Sequence, residues 1–333
     1  MAFRTSLKRG VKRTLMASGA ARAAQRFAAP AAVILTYHSV QDEPSRFANS
    51  IGLDNIHQTS VFAKHMELVA KRFNPVTLED IVFFAAGTKR VPPKSVAVTL
   101  DDGFADNAEI AAPVLERFGI RATFYITVGS IGMPHAVWYV RLRHAFRTTR
   151  EETWRDPAKG QLWPLLSDQG RDAAFLWACE LGARQAGRRQ AETVAAIERD
   201  LNVEPLDCPS LMMNWEQVRR LRQAGHMIGS HTLSHPNLAF VEESEAREEM
   251  EESKRRIEEE LAAPAVHFSY PHPSLNPNWN DRTVAISKQL GYCSAVTTRT
   301  APVRIGANPL CLPRLGTPED TNDFRWRLES AFL

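Results

Sequence analysis

Val96-Ala97-Val98-Thr99-Leu100-Asp101-Asp102-Gly103 carries an apolar, β-branched run straight into two adjacent carboxylates and a glycine. Such a stretch reads as a buried strand whose carboxyl end is acidic. Two neighbouring carboxylates repel each other, so this strand end calls for something positive, a metal ion first of all. A capped turn at Asp102-Gly103 would account for one acid. It leaves the second, beside an apolar strand, unexplained.

The flanking sequence has the rhythm of a parallel α/β sheet. Upstream, Val33-Ile34-Leu35-Thr36-Tyr37 is a strand ending at His38, and Ser60 to Phe73 has helical apolar spacing. Thr77 with Asp80 three positions on marks a second helix, which stops near Gly87. Downstream, a helix over Asp106 to Phe118 is closed by Gly119, with Pro113 set to kink it or shift its start. The strand Ala122 to Ile126 follows. The rhythm breaks after Gly132, and about 136–208 reads as a helical insertion. It resumes with an Asn214-capped helix, the strand His226 to Gly229 and a charged outer helix over Glu242 to Leu261. That helix has a thin apolar stripe of Met250, Ile257 and Leu261 and is expected to be solvated. The strand Val266 to Tyr270, a helix over Thr283 to Leu290, and strand pieces at Ala295 to Thr298 and Leu312 to Leu315 complete the set. About seven strands alternating with helices predict a closed or nearly closed α/β barrel.

Composition narrows the class. The 333 residues suit one large domain or two small ones, and a net charge of +3 is too small to imply nucleic acid. Cys179, Cys208, Cys293 and Cys311 are far apart, with no C-x-x-C pair, so buried free thiols are expected. Residues 1–30 form a separate basic segment with no acid before Asp42 and no continuous apolar core. It reads as a solvated tail or as a basic amphipathic helix on an anionic inner-membrane face. No stretch is long enough to span a bilayer, and a cytoplasmic location is expected.

The unusual polar groups, His38, Asp101, Asp102, His231, His235, Tyr270 and His272, all fall just past strands. In a barrel those loops gather on one face, where active sites lie. His231 and His235 are four apart, which on a helical turn sets both imidazoles on one side. Two imidazoles and a carboxylate are a common catalytic set for zinc or a similar divalent ion. One Asp would hold the ion, and its neighbour would take a proton from an attacking water.

These residues match a family. Thr99-Leu100-Asp101-Asp102-Gly103 resembles the T-F-D-D-G motif of the polysaccharide deacetylases, the NodB-homology carbohydrate esterases. His231-Thr232-Leu233-Ser234-His235 resembles their H-[ST]-x-x-H motif, and Thr36-Tyr37-His38 and Phe268-Ser269-Tyr270-Pro271 fit the same family. The resemblance runs roughly from Ala32 to Leu315. It implies a distorted (β/α) barrel and metal-dependent removal of N-acetyl groups from an amino sugar. The acceptor would be a polysaccharide, an oligosaccharide or a lipid-linked glycan precursor. It implies Asp101 as general base, Asp102, His231 and His235 as metal ligands, and the backbone N–H of Tyr270 as an oxyanion donor.

Two departures stand out. The family's third motif carries an Arg that orients the catalytic Asp, and Phe268 to Pro271 has none; Arg314 is the replacement candidate. The family's final L-x-H motif supplies a general acid, and Ala295 to Thr298 has no His. His38 and His272 are the candidates on the expected active face, with His38 also placed to touch substrate. Trp279 is the best sugar platform, with Trp138 also able to stack, whereas Trp215, one residue past a helix N-cap, reads as packing. A carbohydrate-binding pseudoenzyme and an amidohydrolase for a small non-sugar amide are the rival functions.

Overall fold

The computed structural model describes residues 30–204, 206 and 210–333. The basic segment, its membrane contact and Cys208 lie outside the described residues. The strands are β1 (Ala31–Tyr37), β2 (Ser39–Gln41), β3 (Ile56–Gln58), β4 (Asn74–Pro75), β5 (Ser95–Leu100), β6 (Thr123–Ile126), β7 (Thr153–Arg155), β8 (Leu162–Pro164), β9 (Met227–Ser230), β10 (His267–Ser269), β11 (Ser294–Val296), β12 (Val303–Arg304) and β13 (Leu315–Gly316). The curled main sheet runs β11-β10-β9-β6-β5-β1-β12, with β4 alongside β5 and β13 alongside β1. All six residues of β5 are buried, as continuous apolar runs must be when helices cover a parallel sheet.

Register brings the polar strand ends together. Tyr37 pairs with Leu100, so His38 and Asp101 leave neighbouring strands side by side. Ser230 pairs with both Ile126 and Phe268, which puts His231 on the same rim. Leu312 bridges Val296 and Leu315 pairs with Leu35, so this last segment links the final strand back to the first. Arg314 lies in the middle of that closing link.

Alternation along β1 divides the core. Val33, Leu35 and Tyr37 pack outward on Phe62, Met66 and Val69. Ala32 and Ile34 point inward with Ala97, Tyr125 and Val296. The insertion packs in a second core of Trp138, Phe146, Trp154, Phe175, Val194 and Ile197, which also takes in Ile51, Ile56 and Phe104.

Local readings differ from expectation in four places. Ahead of the α-helix Ala112–Arg117, the chain forms a π turn over Asn107–Ala111. Pro113 has no N–H to continue an α-helical ladder, and a widened turn accommodates that loss. The insertion has the helices Trp138–Thr148, Asp168–Ala183 and Gly187–Asp200, but also a β7-β8 hairpin. Cys179 is buried, whereas Cys293 is exposed and Cys311 half-buried. The charged helix Glu243–Leu261 is not wholly solvated: Glu249 and Ser253 are buried with its apolar stripe. Among the described residues, no helix is long and apolar enough to cross a membrane.

Candidate active site

Asp101 and Asp102 are each 2% exposed, yet they are satisfied by different partners. The guanidinium of Arg314 grips Asp101 with both arms, Nη1 to Oδ1 and Nη2 to Oδ2, each at 2.7 Å. Ser269 Oγ donates to Asp101 Oδ2 at 3.2 Å and accepts from Arg314 Nη2 at 3.1 Å. Arg314 also donates to the Thr297 carbonyl and to Thr99 Oγ1, which fixes the fork. Burial would raise the Asp101 carboxyl, but Arg314 and His231 outweigh it and hold the pKa below the ordinary value.

Asp102 has a left-handed backbone, φ 75°, and turns its carboxylate toward the histidines. Its Oδ1 lies 3.4 Å from His231 Nε2 and 3.3 Å from His235 Nε2. The pair does not sit on a helical turn as expected. Thr232 and His235 both have left-handed backbones, φ 67° and 63°, and the His235 N–H donates to Thr232 Oγ1 at 2.9 Å. The four-residue spacing brings the two imidazoles together through a tight, non-helical loop instead.

That loop is held from behind by Glu249. Its carboxylate accepts the N–H groups of Leu233 and Ser234 at 2.9 and 2.7 Å and the Ser234 hydroxyl at 2.5 Å. The Leu233 carbonyl in turn accepts the Gly129 N–H at 2.8 Å. A Cβ on Gly129 would meet that oxygen at 2.5 Å, so glycine is needed for the approach.

The donor set fits a divalent ion. One atom from each of Asp102, His231 and His235 lies within 4.8 Å of the others. His231 Nδ1 is 2.7 Å from the Ser269 carbonyl, so this nitrogen carries the proton and Nε2 presents its lone pair to the site. Two imidazoles and one carboxylate leave further coordination positions open. Asp101 and Asp102 hold the pKa of His231 above its ordinary value against the effect of burial. At His235 burial and the neighbouring His231 prevail, and the pKa falls.

The insertion reaches the same carboxylate. Tyr139 donates its hydroxyl to Asp102 Oδ2 at 2.6 Å, and its ring lies 5.2 Å from His235. Burial and the Asp102 charge push this phenol well above its ordinary pKa, so it remains a donor. Trp138 Nε1 donates to the His235 carbonyl at 3.0 Å, which makes it a support and not a sugar platform. Neither residue was singled out as a ligand support by the sequence motifs. A cavity of about 390 Å³ opens over these groups.

The remaining candidates divide. His38 and His272 both line the cavity, the latter exposed and 3.1 Å from Asn276 Oδ1 through Nε2. The Tyr270 N–H is not free: it donates to the Val296 carbonyl at 3.2 Å, as the β10-β11 register requires. The Tyr270 ring packs away from the carboxylates, with its hydroxyl 2.8 Å from Ser287 Oγ. Trp279 is absent from the cavity wall and stacks on Tyr270 at 6.3 Å. The Pro-rich loop after Tyr270 packs it, half-buried, against the cluster that includes Ile286 of the helix Asp281–Gln289, away from the cavity.

Comparison with known proteins gives consistent matches. The family model for polysaccharide deacetylase matches residues 88–295. The Bacillus subtilis (strain 168) protein YxkH is 21% identical over 266 residues, 80% of this chain and 63% of that protein. The Streptococcus pyogenes deacetylase PplD, solved in complex with acetate, superposes with a TM-score of 0.58 at 17% identity, covering 90% of this chain and 98% of that one. IcaB from Ammonifex degensii superposes with a TM-score of 0.59 at 18% identity, covering 91% and 99%. At these identities the two structures establish a shared fold.

Proposed function

Because the chain belongs to the polysaccharide deacetylase family, we propose that it hydrolyses the N-acetyl group of an amino sugar in a glycan or glycan precursor. The observation that carries this reading is the pairing of two adjacent buried carboxylates with different partners. One is locked by Arg314, and the other faces two imidazoles.

In this reading Asp102 Oδ1 and the Nε2 atoms of His231 and His235 hold a divalent ion, with zinc the first choice for that ligand set. Such an ion, when bound, acidifies an attacking water and steadies the carbonyl oxygen of the acetamide. Asp101 is the base. Arg314 keeps it ionised and fixed in direction, so it is ready to take the water proton as the new C–O bond forms. Arg314 is thus a positioning residue. As the C–N bond breaks, the amine needs a proton, and His272 and His38 are the cavity-lining groups that can deliver one. Tyr270 is not assigned the oxyanion, since its N–H is already bonded to Val296.

Acetate release from N-acetylated oligosaccharides, with elemental analysis of the same preparation, tests the proposal. The expected result is released acetate together with a bound divalent ion. Bound ion with no acetate from any acylated sugar would overturn it in favour of a carbohydrate binder.

A further inference from the structure

The cavity does not end at the carboxylates. Between the insertion helices and the turn at Ile51 to Asn55 lies a second compartment of about 530 Å³. Arg143, Phe175 and Leu176 line both spaces and mark the junction.

Arg143 is held there without an acid. Its guanidinium sits 4.5 Å over the Phe175 ring. On another side it packs against Gly52, where a Cβ would come within 2.8 Å of Cζ. Its Nε is buried with no hydrogen-bond partner. The nearby acids are otherwise engaged: Asp101 with Arg314, Asp102 with the histidines and Tyr139, and Asp172 with Arg147. Asp54 is exposed at the edge of the second compartment. Among the described residues no carboxylate pairs with Arg143.

We propose that Arg143 is a specificity-determining residue that binds an anionic group of the substrate. That group would be a carboxylate or phosphate on the unit attached to the acylated sugar, and the second compartment would hold the unit that carries it. An aromatic face beneath a guanidinium fixes its plane, so little freedom is lost when its edge donates two N–H groups to a two-oxygen anion. A half-buried cation with no partner is costly, and an anionic ligand removes that cost. The proposal rests on the deacetylase reading for the identity of the acylated sugar.

Three probes test it: a neutral N-acetylated disaccharide, the same disaccharide with a uronic acid as neighbour, and an N-acetylated sugar 1-diphosphate. Calorimetric Kd and acetate release are measured for the wild type, Arg143→Met and Arg143→Lys. The wild type is expected to bind one anionic probe at least about tenfold more tightly than the neutral one, the scale of a charged hydrogen bond. Arg143→Met erases that ratio and Arg143→Lys keeps part of it. The two anionic probes separate carboxylate from phosphate. Should Arg143→Met fail to fold, Arg143→Gln removes the charge while keeping a polar side chain, and the same ratio is read. Equal wild-type affinity for all three probes, or an equal loss on all three in the variant, overturns the proposal. Acetate from none of the probes sinks the deacetylase reading, while the Kd ratio still decides the role of Arg143.

Discussion

The barrel rim and the helical insertion meet at Asp102 from opposite sides and hold it by different means. The rim works through strand register: Asp101, Asp102, His231 and Arg314 are placed by backbone pairing of neighbouring parallel strands. The insertion reaches the ligands chiefly through side chains, the Tyr139 hydroxyl on Asp102 Oδ2 and the Trp138 indole on the His235 carbonyl, with the Gly187 N–H on Ser234 Oγ beside them. The difference assigns separate tasks. The proposed base, Asp101, stands on the rim at the end of a strand paired on both sides. The residues proposed to tune and select, Tyr139 and Arg143, come from the insertion, which packs in a second core.

Substitution on the two sides should separate these tasks. On the rim, Asp101→Asn keeps the shape of the group and removes the base, so acetate release is expected to fall by about 10²–10⁴-fold. Undiminished turnover would remove Asp101 from the chemistry. On the insertion side, Tyr139→Phe deletes one hydrogen bond to Asp102. Partners of this kind typically cost about 10–100-fold in metal affinity or activity. Chelator competition and acetate release measured together check it. A loss as large as that of Asp101→Asn would break the proposed division between rim and insertion.

The same division explains what could be read from the sequence. Rim residues lie in short contiguous motifs, so Asp101, Asp102, His231 and His235 were legible, and Arg314 could be sought by its place after a late strand. Tyr139 is 37 residues from its carboxylate, in a segment whose composition announces only helix. Nothing local marks it. Glu249 was hidden among the many acids of its helix, though one signal was available. It falls at helical spacing with Ala246, Met250, Ser253 and Ile257, all buried, so it belongs to the inward stripe. The Tyr270 donor was misassigned because β10-β11 pairing, which consumes its N–H, depends on register.

Glu249 offers a smaller test on the rim side. Glu249→Ala would strand the Leu233 and Ser234 N–H groups behind the histidine loop. The expected loss is about 1–3 kcal/mol of stability. Glu249→Gln, which retains an acceptor, should lose less. Chemical denaturation reads both. Equal stability of the alanine variant and the wild type would mean that the loop keeps its shape without this anchor.

Asp106 gives the smallest expected effect and the clearest sign. It is buried behind the rim, where Ser39, Val40, Gln41 and Asn107 all donate to its carboxylate. Through Ser39 to Gln41 it pins the chain that leaves β1 past His38. Burial outweighs those four donors and pushes its pKa from 3.8 up to about 6. An acid whose pKa is higher folded than unfolded binds its proton more readily in the folded state. Its contribution to stability is therefore fully present below about pH 4, and it is lost as pH rises through about 6. Between pH 7 and pH 5 the folded protein should gain about 1 kcal/mol from this group. Asp106→Asn cannot titrate, so the difference in stability between wild type and variant should shift by that amount over this window, whatever its value at pH 7. A difference that stays flat would mean that the four donors hold Asp106 ionised throughout.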